Sequence, residues 1–128
     1  MALQCGLCVR SRQVDADGHK HASPAGAFAD SASPHGAYDM AGNVWEWCRD
    51  WYRKDYYTSV PAKNPTGPAI GTHRVLRGGS FANAPTEAQT ITRTGQKPGF
   101  SEGCIGFRIV RLVDPIFMQK PEGEAGKP

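Results

Sequence analysis

The chain has 128 residues, of which 39% are hydrophobic and 21% charged, and its formal net charge is +3 at pH 7. This length fits one domain with a modest core, and the composition excludes a fully disordered chain. The basic residues are scattered and no apolar run approaches the roughly 20 residues of a membrane span, so we predict no nucleic acid and no membrane as partners. Met1–Arg12 does not have the composition of a secretory signal, and a cytoplasmic location is expected.

Residues 1–16 are predicted to form a poorly ordered arm, because they show no apolar periodicity. Within the arm, Cys5 and Cys8 have the spacing of half a zinc site, and His19 and His21 lie nearby in sequence. The spacing is not that of a zinc finger. Two thiols in an unstructured arm are therefore the preferred interpretation, with zinc as the alternative.

The segment Gly36–Tyr52 is the densest aromatic stretch of the chain. Gly42–Asn43 is typical of a tight turn, since both residues tolerate a positive φ, and Val44–Tyr52 is rich in strand-forming residues. The segment includes all three tryptophans of the chain: Trp45, Trp47 and Trp51. A turn followed by a buried strand is predicted, with the tryptophans as structural anchors of the core.

Short strands and long loops are predicted for the rest of the chain, which contains 15 Gly and 10 Pro. Lys54–Thr72 indicates a long surface loop, and Arg74–Arg77 a short strand. Gln89–Arg93 is β-prone and is followed by another loop. The last strand is expected within Ile105–Val113. Its residue pattern indicates that both faces of the strand are covered by other parts of the chain. Residues 114–128 are predicted to be a disordered tail.

Two further cysteines, Cys48 and Cys104, fall on or near predicted strands. They could lie close together in the fold. In a reducing compartment both are expected to be buried thiols, and a disulfide is expected only in an oxidising one.

Three blocks of this sequence together resemble the sulfatase-modifying-factor family, the formylglycine-generating-enzyme domain. The blocks are Gly36–Trp47, Arg74–Phe81 and Gly106–Arg108. The resemblance extends over about residues 15–112 and matches only the C-terminal half of the family domain. It implies an α+β, loop-rich, partial C-type-lectin-like fold over residues 17–113, with short antiparallel strands and little helix. The face left by the missing half would favour a homo-oligomer.

The resemblance also implies a calcium site on the first block. The corresponding ligands are two side-chain carboxylates and two backbone carbonyls, from Asp39, Gly42, Val44 and Glu46. Oxygen donors of this kind suit calcium. In the alternative interpretation, Asp39 caps a turn and Glu46 pairs with Arg77 or Arg108. A second family site would use Asp17, but its upstream ligands have no match here.

Family activity depends on a copper ion held by two cysteines after the Gly-Gly-Ser motif, and it oxidises a sulfatase cysteine to formylglycine with molecular oxygen. The matching positions here are Asn83 and Ala88. Neither offers the thiolate that copper(I) prefers, so copper is not expected. Ser80 alone matches a polar active-site position of the family, and it is equally a turn residue at a strand end.

Three arginines, Arg77, Arg93 and Arg108, stand at family-like positions and are assigned structural roles, satisfying carbonyls or Glu46. The resulting hypothesis is a non-catalytic, calcium-stabilised scaffold or binding module with an unidentified ligand. The alternative is a degenerate or partial oxygen-dependent oxidoreductase of the same family, either formylglycine-generating or similar to the sulfoxide synthases.

Overall fold

The computed structural model describes residues 18–58, 63 and 65–110. The predicted arm and tail, with Asp17, Cys5 and Cys8, lie outside this part of the chain. Four strands are present, named β1 to β4 in chain order: Trp45–Trp51, Arg74–Arg77, Arg93–Gln96 and Ile105–Phe107. Helix is limited, within the described ranges, to two three-residue 3-10 turns, Ala29–Ser31 and Tyr56–Thr58. The expectation of a loop-rich domain with little helix is confirmed.

The strands form one sheet in the order β3-β2-β1-β4. β2 runs antiparallel to both β1 and β3, whereas β4 runs parallel to β1. The prediction of antiparallel strands is therefore wrong for the β1–β4 pair. In β1 the register with β2 shifts between Trp47 and Trp51, so a bulge divides the strand into two parts.

A small core lies at the first half of β1, where Trp45 is 3% exposed and packs with Leu76 and Cys104. The backbone N–H of Trp45 donates to the carbonyl of Cys104 at 2.7 Å, which fixes the start of β1 beside the segment that leads into β4. Other apolar side chains pack around this cluster while half-buried: Trp47, Phe81 and Ile105. Trp51, in the second half of β1, is also half-buried.

The last strand is shorter and more exposed than its sequence indicated. β4 ends at Phe107, which is 73% exposed, and the residues that follow it, Ile109 and Val110, are 88% and 82% exposed. The expectation that both faces of this segment are covered is wrong for the described residues. β3 also differs from its prediction, because it begins where the β-prone segment Gln89–Arg93 ends.

No helix in the described ranges is long and apolar enough to cross a membrane.

Candidate ligand-binding site

The turn before β1 holds the preceding loop against the sheet. Asp39, Gly42 and Asn43 all have positive φ values, of 54°, 79° and 58°, which reverse the chain within a few residues. The Asp39 carboxylate accepts the N–H of Gly26 at 2.9 Å. The Asn43 amide bonds both the N–H and the carbonyl of Ser23, at 3.1 and 3.2 Å. Both side chains therefore satisfy backbone groups of the loop.

The loop after β2 is bonded to this turn. The N–H of Gly42 donates to the carbonyl of Gly78, and the N–H of Phe81 donates to the carbonyl of Asn43, both at 2.8 Å. The turn and the loop after β2 thus form two walls of a cavity of about 370 Å³. Its polar and aromatic lining includes His21, Phe28, Asp39, Ser80, Phe81 and Asn83, and Ala88 completes one side.

Ser80 is only 1% exposed, and its polar atoms have partners inside the loop. Its hydroxyl donates to Asn83 Oδ1 at 2.8 Å, and its N–H donates to the same oxygen at 3.0 Å. Asn83 Nδ2 in turn donates to Glu87 Oε2 at 3.3 Å. This network closes a turn, which is the structural role that the sequence left open for Ser80.

The structure brings together three positions that the sequence resemblance matches to the family's active site. Ser80, Asn83 and Ala88 all line the cavity beside the turn. An amide and a methyl group stand where two thiols would be needed, so the cavity wall at these positions supplies no thiolate. His21, which the sequence suggested only as a possible zinc ligand, lines the cavity and packs edge-to-face on Phe81, with ring centroids 5.9 Å apart.

Arg108 connects two of the predicted calcium ligands. Its Nε lies 2.5 Å from Glu46 Oε2, and its Nη2 donates to the backbone carbonyl of Asp39 at 2.7 Å. The hydrogen bond to Glu46 raises the pKa of Arg108 above its ordinary value. One guanidinium therefore joins the turn, β1 and the end of β4. The pairing of Glu46 with Arg108 is the contact named in the alternative interpretation.

The predicted calcium ligands take part in some of these contacts. The Asp39 and Glu46 carboxylates each use one oxygen in a hydrogen bond, and the second oxygen of each has no partner within the described residues. Two carboxylate oxygens and the turn carbonyls of Gly42 and Val44 are donors of the type that a hard cation such as calcium prefers. In the same part of the chain, no group of three or more His, Cys, Asp or Glu side chains forms a metal cluster.

The other arginines have internal partners. Arg77 Nη2 donates to the Tyr57 hydroxyl at 2.8 Å. Arg93 Nη2 donates to the carbonyls of Arg53 and Lys54, at 3.1 and 2.8 Å, and its guanidinium lies 4.7 Å from the Tyr57 ring centroid. These contacts attach the 3-10 turn at Tyr56–Thr58 to the sheet.

Cys48 and Cys104 do not pair with each other. Cys48 is a free thiol, whereas Cys104 is disulfide-bonded. Burial raises the pKa of Cys48, and the nearby Arg77 guanidinium opposes this only in part. Cys48 is therefore a poor nucleophile at neutral pH.

Comparisons with known proteins agree on one family. The model of the sulfatase-modifying factor enzyme 1-like domain matches residues 8–113. The formylglycine-generating enzyme of Streptomyces coelicolor is 38% identical over 101 residues, which are 77% of this chain and 32% of that protein. The serine/threonine-protein kinase pkn1 of Chlamydia caviae is 43% identical over 84 residues, 64% of this chain and 14% of the kinase.

Among solved structures, PvdO from Pseudomonas aeruginosa superimposes with a TM-score of 0.64 at 25% sequence identity. The match includes 79% of this chain and 38% of PvdO. The chain thus spans about a third of the length of the formylglycine-generating enzyme and of PvdO.

Proposed function

Because the chain belongs to the family of sulfatase-modifying factor enzyme 1-like domains, we propose that it is a non-catalytic binding module. The ligand would enter the cavity between the turn before β1 and the loop after β2. Its relatives include a protein named for formylglycine generation and one named as a kinase, and the chain matches only part of each. A shared fold does not carry one shared activity, so the function is argued from the cavity.

The observation that carries the proposal is the chemistry of the cavity wall at Asn83 and Ala88. Copper(I) prefers soft sulfur ligands, and these two positions offer an amide and a methyl group. The Asn83 amide is also occupied, because it accepts from Ser80 and donates to Glu87. Oxygen activation by a two-thiolate copper site is therefore not supported at this position.

The cavity is suited to recognition instead. Its volume, about 370 Å³, is within the range of small-molecule sites. Phe28 and Phe81 offer apolar contact, and Asp39 and His21 offer polar groups. Exposed residues of the loops on either side of β3 provide further surface for a partner.

Calcium is proposed as a stabiliser of this module. The turn that forms one wall of the cavity also carries Asp39 and Gly42, and β1 carries Glu46 immediately after it. A cation bound by these residues would tie the turn to the strand and reduce the freedom of the cavity wall. Asp39 and Glu46 would supply the carboxylate oxygens, and Gly42 and Val44 the carbonyls.

The proposal is tested by incubating the purified protein with copper(I), oxygen and a sulfatase-motif peptide, and by searching for the aldehyde product by mass spectrometry. No aldehyde is expected. The double variant Asn83→Cys, Ala88→Cys serves as a matched comparison, since it places two thiols at these positions and is expected to retain copper(I) against a competing chelator. Aldehyde formation by the unaltered protein would contradict the proposal and establish the oxidoreductase alternative.

A further inference from the structure

A second cavity lies at the far end of β1 and shares no lining residue with the cavity beside Ser80. Its volume is about 630 Å³, within the range of small-molecule sites. One side is formed by Arg49, Asp50 and Trp51 of β1 together with Arg74 of β2, and the other by the loop at residues 66–69.

Arg74 is fixed in one orientation by two contacts. Trp51 and Arg74 are directly opposite each other across β1 and β2, and the guanidinium lies 3.4 Å from the centroid of the Trp51 ring. Its Nη1 also donates to the backbone carbonyl of Arg49. Stacking on an aromatic face leaves the edges of a guanidinium available for hydrogen bonds. The other N–H donors of Arg74 are therefore already held in position before a ligand binds.

The remaining guanidinium donors of Arg74 have no acceptor in the described part of the chain. The bond to the Arg49 carbonyl is the only hydrogen bond of this side chain there, and the side chain forms no ion pair. The side chains of Arg49 and Asp50 are exposed and likewise have no bonded partner among those residues. Two guanidinium groups against one carboxylate give this cavity a net positive charge. An anion is the complementary ligand.

We propose that this cavity binds a carboxylate, held by the N–H fork of Arg74 with Arg49 as a second cation. The planar fork of a guanidinium matches the two oxygens of a carboxylate in a bidentate pair. Asp50 lies on the same wall, and its negative charge disfavours a dianion such as phosphate relative to a monoanion. The carboxylate belongs either to a small organic acid or to the C-terminus of a peptide. This site does not depend on the proposed function of the other cavity.

The test is a titration of the ¹⁵N-labelled protein with sodium acetate, at an ionic strength kept constant with sodium chloride. The readouts are the Arg74 Nε–H and Trp51 indole N–H signals. A saturable shift is expected with acetate and none with acetamide, which has the same shape without the charge. Equal shifts with acetamide, or with sodium chloride alone, would overturn the proposal.

Arg74→Lys keeps the positive charge and removes the fork, so acetate affinity is expected to fall about tenfold or more. The matched control is Arg53→Lys, since Arg53 is exposed in an ion pair with Asp55 away from this cavity. Unchanged affinity in Arg74→Lys would refute the bidentate contact. If that variant does not fold, Arg49→Gln replaces it, because the exposed Arg49 side chain has no structural contact among the described residues; it must weaken acetate binding several-fold for the proposal to stand.

A tripeptide in two forms, one with a free C-terminus and one amidated, distinguishes a peptide C-terminus from a small organic acid as the ligand. Tighter binding of the free form than of acetate assigns the site to a peptide terminus, whereas binding no tighter than acetate assigns it to small organic acids. Equal binding of the amidated peptide, or tighter binding of inorganic phosphate than of acetate, would contradict the proposal.

Discussion

At the scale of single residues, Arg108 determines what the turn before β1 can do. It contacts the carboxylate of Glu46 and the backbone carbonyl of Asp39 at once, and so places a permanent positive charge beside two predicted calcium ligands. A bound cation would have to share Glu46 with this guanidinium, or displace it. Any stabilisation by calcium would therefore be reduced by competition between the two cations for the Glu46 carboxylate.

Removal of calcium with EDTA is expected to lower the melting temperature, and added calcium to restore it. A ligand at a hundred times its Kd stabilises the folded state by about 2.7 kcal/mol, which raises the melting temperature by roughly 10 °C for a domain of this size. The difference between calcium and EDTA should vanish in Glu46→Gln. The same variant also loses the charge of the Arg108 pair, but that loss is present in both solutions and cancels.

The control for this experiment is Asp55→Asn, because Asp55 carries a carboxylate in an exposed ion pair with Arg53. It should keep the full calcium-dependent difference. A wild-type melting temperature that is identical in EDTA and in calcium would show that Arg108 alone satisfies the site.

At the scale of elements, the junction between β2 and the Ser80 loop depends on Gly79. Its φ is +72°, and a Cβ at this position would meet Ala88 Cα at 2.7 Å and the carbonyl oxygen of Glu87 at 2.8 Å. The close approach of these backbones brings Ala88 to the cavity wall. A side chain at Gly79 would push the two segments apart.

Gly79→Ala is expected to lower the free energy of unfolding by about 2 kcal/mol or more, because it adds overpacking to the strain of a positive φ. Gly99→Ala is the matched control: its φ is +84°, but nothing lies within 4 Å of the new methyl group. Gly99→Ala should lower the free energy of unfolding by about 1 kcal/mol, because it adds only the backbone strain of a positive φ. Urea denaturation measures both, and equal losses would contradict the contact with Ala88.

The sequence predicted β1 and β2 well, because β1 is rich in tryptophan and β2 has Val75 and Leu76 at its centre with glycines directly after it. β3 was missed since Thr94 and Gly95 give a weak local signal, and the strand forms only by pairing with β2. The parallel pairing of β4 is a long-range contact that no local pattern reports. Among the site residues, Ser80 was identified by the family-like motifs. The stacking of Arg74 on Trp51 could not be predicted, because it depends on how β1 and β2 align after the bulge.

At the scale of the whole molecule, one edge of the sheet carries exposed apolar side chains. Phe107 in β4, with Ile109 and Val110 after it, is largely exposed, and β4 pairs only with β1 among the described strands. Exposed apolar residues on an open strand edge favour association with another chain. A second copy of this chain is the expected partner.

The native mass, measured by light scattering, is expected to exceed that of one chain. Ile109→Lys should return the protein to a monomer, because a charge at this edge opposes pairing. Ile91→Lys is the control, since Ile91 is 77% exposed but lies outside β4 and the segment after it. A monomeric wild-type protein, or dissociation by both variants alike, would contradict association through β4.

The parallel pair of β1 and β4 also bears on how the chain folds. Trp45 is opposite Ile105, so the central strand is completed by residues from near the end of the described chain. Most of the chain between them must form a closed loop before this pairing gains any hydrogen bonds, and closing it costs conformational entropy. Such long-range contacts are expected to slow folding.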